Sequence, residues 1–69
     1  MSPSQIKAEI LSLHDCEETI INGHNILCLV EPGVGREWKV YPLTEGVDGP
    51  GTHFYQKEEI DDLVNDLTE

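Results

Sequence analysis

Four side chains of the metal-binding kind stand in the first half of this chain. His14, Cys16, His24 and Cys28 spell His-x-Cys followed by His-x-x-x-Cys, and zinc favours Cys and His in tetrahedral groups. The spacings match no common zinc pattern. Cys28 also sits in the most apolar run of the chain, residues 26–30, where a small buried thiol is the ordinary role. No metal and no cofactor is expected. Cys16 is poorly placed as a nucleophile, because Asp15, Glu17 and Glu18 stand beside it and their charge disfavours the thiolate. No Ser-His-Asp or Cys-His constellation follows from the spacing. The chain reads as non-enzymatic.

Two glycine-bearing stretches share only their composition with phosphate loops. Gly33-x-Gly35-Arg36 leads into a strand pattern, and the loop holding Gly46, Gly49 and Gly51 carries Glu45 and Asp48. A phosphate loop needs a following helix and usually a lysine. Both stretches are expected to be turns. The carboxylates of residues 57–69 lack the Asp-x-Asp-x-Asp-Gly order of a calcium loop, and a regular helix fans such groups apart.

Those carboxylates carry a different signal. Ile60, Leu63, Val64 and Leu67 fall at i, i+3, i+4 and i+7, which is one face of a helix. Around them stand Glu58, Glu59, Asp61, Asp62, Asp66 and Glu69 against the single base Lys57, half of the chain's net charge of −10. The segment predicts a helix with one apolar and one strongly negative side. With 14 acids and 4 bases, direct binding to nucleic acid or anionic membrane is excluded as the main role, since phosphate contacts need clustered Lys and Arg. Such a surface attracts basic protein surfaces instead.

The elements that must position these residues follow from pattern. The 69 residues make one domain (1–69), with only about 60% of its unfolded surface buried. Residues 2–13 predict a first helix, with Ser2 as cap, Pro3 in the first turn, Gln5 completing a capping box and Ile6, Ile10 and Leu13 as its stripe. Residues 19–21 and 26–30 predict two strands around Asn22-Gly23, a hairpin signal. Pairing Ile21 with Ile26 and Ile20 with Leu27 across a four-residue loop matches apolar to apolar and is the preferred register. Ile26, Cys28 and Val30 face one side of the sheet, Leu27 and Leu29 the other. Residues 37–41 alternate as a half-buried strand ended by Pro42. Residues 53–55 predict a short fourth strand, and the last helix begins near Gln56. The expected class is α+β, an antiparallel three- to four-stranded meander with an N-terminal and a C-terminal helix, αβββ(β)α.

Residues Met1 to Gln5 lack a basic start and an apolar run, so no signal peptide is read. No stretch reaches the roughly 20 apolar residues of a membrane helix. A cytoplasmic protein with reduced Cys16 and Cys28 is expected. In size and charge the chain resembles small acidic inhibitors from phages and mobile elements, some anti-CRISPR proteins among them. That resemblance is of general character and is carried by no motif.

It implies an acidic protein that binds, and inhibits, a partner with a basic surface, by imitating nucleic acid. The residues expected to meet the partner are Glu58, Glu59, Asp61, Asp62, Asp66 and Glu69, with Tyr41 and Tyr55 as aromatic anchors. The helix acids would steer association and the exposed apolar side of the sheet would supply affinity. Two other classes compete: a structural subunit or homodimer docked through its apolar sheet, and a small Cys/His metal or redox protein.

Overall fold

A computed structural model describes residues 1–68. The order is α1 (Pro3–Leu11), β1 (Glu18–Ile21), β2 (His24–Glu31), β3 (Gly35–Pro42), β4 (His53–Gln56), a 3-10 turn (Lys57–Glu59) and α2 (Ile60–Thr68). The four strands form one antiparallel meander, β1-β2-β3-β4. This is the expected αβββ(β)α architecture with the fourth strand present.

The first helix starts where its sequence says. Ser2 Oγ accepts from the Gln5 backbone N–H at 3.2 Å, and Gln5 Oε1 accepts from the Ser2 N–H at 2.8 Å, so two otherwise unpaired donors are satisfied reciprocally. It ends earlier than expected. Ser12 turns its hydroxyl back onto the Glu9 carbonyl at 2.7 Å, a local bond that competes with helix continuation. Leu13 lies beyond the helix yet is buried in the core.

The hairpin register differs from the expected one. Ile21 pairs with His24, Ile20 with Asn25 and Thr19 with Ile26, so the turn is the two residues Asn22 and Gly23. Both have positive φ, 49° and 80°, as a tight hairpin turn requires and as Asn-Gly supplies with little strain. The two candidate registers differ by two residues, so both place the same side chains on the same faces. Face assignment therefore could not choose between them, apolar pairing pointed to the wrong one, and turn chemistry decided. Asn22 adds a reason of its own, because its Nδ2 donates to the Leu67 carbonyl of α2 at 2.7 Å.

Both helices lie on one side of the sheet. Ile6, Ile10 and Leu13 from the α1 segment meet Ile21, Ile26, Cys28, Trp38 and Val40 from the strands and Ile60, Leu63, Val64 and Leu67 from α2 in one core. The alternation of β2 and β3 is as expected: Ile26, Cys28, Trp38 and Val40 are covered, while Leu27, Leu29, Lys39 and Tyr41 point to the open face. Val30 shares the covered side yet is 45% exposed. Further side-chain contacts hold the layers in register. Thr19 Oγ1 donates to Glu9 at 2.9 Å, Arg36 Nη1 to the Leu11 carbonyl at 3.0 Å, and Lys7 pairs with Asp61 at 2.9 Å across the two helices. No helix among the described residues is long and apolar enough to cross a membrane.

Candidate functional site

The apolar stripe of α2 fixes where its acids go. With Ile60, Leu63, Val64 and Leu67 buried, Asp61, Asp62 and Asp66 are left exposed, and Glu58 and Glu59 precede them in the 3-10 turn. Three of these five carboxylates have internal roles. Asp61 holds Lys7. Glu59 Oε1 accepts from the Gln56 N–H at 3.1 Å and caps the turn. Asp66 Oδ2 accepts from the Tyr55 hydroxyl at 2.7 Å. Among the described residues, Glu58 and Asp62 take no part in such a contact. Glu69 lies outside the described residues.

Two bases stand at this margin, Lys57 in the 3-10 turn and Lys7 on Asp61. Of the chain's four Lys and Arg, Lys7 and Arg36 are engaged as described, and Lys39 sits over the Phe54 ring on the open face at 5.6 Å. That last arrangement is a cation–π contact.

The two tyrosines expected as anchors stand on opposite faces. Tyr41 lies on the open face beside Asn25. Tyr55 pairs with Trp38 on the covered side and packs half-buried against the core. Burial pushes its phenol up to about 12, and the hydrogen bond to Asp66 and the charges of Asp66, Glu59 and Asp62 act the same way. The ring is thus held as a neutral donor that fixes one oxygen of Asp66.

Beside this pair a groove of about 300 Å³ opens between α2 and the end of the sheet. The nearly fully buried Val40, Leu63 and Leu67 line its apolar part, and Pro42, Gly51, His24, His53, Tyr55 and Asp66 complete the lining. The strand pattern builds it. The tight Asn-Gly turn makes His24 the first residue of β2 opposite Pro42, and Val40 pairs with His53, so both imidazoles reach the same end of the sheet. His53 and Tyr55 stack edge to face, with centroids 6.5 Å apart. Sequence reading grouped His24 with the cysteines instead. The available signal was the two-residue turn, which the apolar register obscured.

The Cys/His set does not assemble. Cys16 is exposed and Cys28 fully buried, and among the described residues no three His, Cys, Asp or Glu side chains stand together as metal ligands. The Cys16 N–H donates to the Cys28 carbonyl at 2.8 Å, and the Cys28 N–H donates to the Glu17 carbonyl at 2.8 Å. Two residues of the incoming strand thus face one of β2, as in a bulge, with Cys16 at φ 67°. Both thiols are pushed up, Cys16 chiefly by the charge of Asp15 and Cys28 chiefly by burial. Neither is a thiolate poised for attack.

The open side of the sheet is a second surface. Ile20 is 61% and Phe54 54% exposed, with Leu27, Leu29 and Tyr41 half-buried between Glu18, Glu37 and Lys39. It faces away from α2. The acidic margin and the open sheet are thus separate surfaces. Compared with protein-family models, curated proteins and solved structures, the chain matches none.

Proposed function

We propose that this protein is a non-enzymatic interaction domain that binds a partner protein through a basic surface of the kind that contacts nucleic acid, and inhibits that partner by covering it. The observation that carries the reading is Asp66 lining a groove with apolar residues, with Asp62 near enough to act on Tyr55 of the same groove, on a chain of net charge −10. Long-range attraction and short-range burial are supplied at one place. Steering of this sort raises association rates and falls with salt. The reduced thiols suit the cytoplasm.

Capture of partners on the full chain, followed by mass spectrometry, tests this. The expected prey are nucleic-acid-binding proteins with basic surfaces, released as salt is raised. Prey without basic surfaces, held equally at all salt concentrations, would refute it.

A second reading rests on the exposure of Ile20 and Phe54. In it the open sheet docks on a copy of the chain. Light scattering at high concentration distinguishes the two: a dimer supports the second reading, and a strict monomer removes it.

A further inference from the structure

We propose that the groove beside α2 receives one arginine side chain of the basic partner. This inference rests on the functional reading above and specifies its central contact. At about 300 Å³ the groove lies at the low end of small-molecule sites, which suits a single long side chain better than a cofactor. Its apolar part, Val40, Leu63 and Leu67, matches the methylene stem of a long cationic residue, which buries its stem and keeps its head at a polar rim.

The rim supplies the counter-charge. Among the described residues, Asp66 is the one carboxylate lining the groove. Its Oδ2 is occupied by the Tyr55 hydroxyl, which orients the group and leaves Oδ1 to accept from a cation. A carboxylate has room for several donors, and a charge-assisted bond is the stronger kind. An anionic ligand would meet Asp66 with Glu59 and Asp62 close enough to act on Tyr55, and is disfavoured. A purely apolar ligand would strip water from Asp66 without replacing it.

Arginine is favoured over lysine by the aromatic rim. His53 and Tyr55 meet edge to face at 62°, and the planar, weakly hydrated guanidinium stacks on such faces where a compact ammonium does not. Arginine is also enriched at interfaces while lysine is depleted.

The test is a titration of the full chain with Nα-acetyl-arginine methylamide, followed by amide NMR shifts. The citrulline, lysine and norleucine analogues are run beside it. The expected result is a saturable response centred on Val40, His53, Tyr55, Leu63 and Asp66, roughly tenfold stronger for arginine than for its neutral isostere citrulline, the size of one lost charge-assisted bond. Asp66→Asn should bring arginine down to the citrulline level while its spectrum stays dispersed. Glu37→Lys, on the open face of the sheet opposite Leu29, should keep the groove response. Equal binding of citrulline, tighter binding of lysine or norleucine, or shifts spread along the acidic margin without the groove would overturn the inference. If the groove fails to select arginine while the captured partner still binds with salt dependence, only this inference falls. If the groove selects arginine but no basic partner is captured, the functional reading falls.

Discussion

Leu63→Ala removes a side chain that is fully buried at the centre of the α2 stripe. Truncations of this kind cost about 2–5 kcal/mol, depending on how far the site can collapse or fill. Leu63 also lines the groove, so the missing atoms enlarge a space open to solvent rather than leaving a sealed void. The expected cost is therefore in the lower half of that range, about 2–3 kcal/mol. For a chain this short each kcal/mol shifts the thermal midpoint by about 4–8 °C, so a drop of about 10–20 °C is expected. A core of this size rarely supplies more than about 3–5 kcal/mol, and the variant should sit near the edge of folding. Urea titration followed by the fluorescence of Trp38, the chain's one tryptophan and fully buried, measures it directly. The midpoint should fall with an unchanged slope. Leu43→Ala, at a side chain 48% exposed, is the control and should stay within about 0.5 kcal/mol. If the two variants unfold alike, α2 is not docked as described.

Three further outcomes follow from named contacts. The Tyr55 phenol is raised to about 12 in the folded chain against about 10 unfolded; both states are protonated below about pH 10, so its contribution is intact there and is lost as pH rises toward about 12. Tyr55→Phe should start less stable at neutral pH, through the lost bond to Asp66, yet show a shallower decline over that window in urea midpoints. Gly23→Ala places a Cβ at φ 80° and should destabilise by more than about 1 kcal/mol in the same assay, and a neutral result would mean the hairpin has another turn. A thiol reagent applied without reductant should find both cysteines once the chain is unfolded, and Cys16 alone, slowly, while it is folded, since Cys28 is buried; a single thiol or none in the unfolded chain would reveal a disulfide.

The order of elements was legible because each carries its own local chemistry. Ser2, Pro3 and Gln5 announce α1, Asn22-Gly23 the hairpin, and the 60/63/64/67 spacing α2. Alternation in residues 37–41 put Trp38 and Val40 on one side of the strand, and packing makes that the covered side. What was not legible depended on choices that the apolar pattern does not encode. A two-residue slip at Ile21 leaves every face unchanged, so the pattern could not set the register. The placement of both helices on one side, which leaves Ile20 and Phe54 open, depends on packing that no local signal encodes. The groove draws on residues 24, 40, 53, 63 and 66, which only the assembled sheet and α2 bring together. The internal roles of Asp61, Glu59 and Asp66 were likewise hidden, because their partners Lys7, Gln56 and Tyr55 lie on other elements or at a turn. That knowledge narrows the steering charges to Glu58 and Asp62, the two that can be reversed without breaking a structural contact.

The most direct measurement is the association rate of the captured partner with the natural chain and with the Glu58→Lys, Asp62→Lys variant, at low and at moderate salt. The variant's thermal midpoint should be close to that of the natural chain, as exposed positions tolerate such changes. Steered association predicts a slower on-rate for the variant at low salt and a weaker dependence on salt, with dissociation little altered. An on-rate unchanged at both salt concentrations would contradict it, and the acidity of α2 would then serve solubility alone.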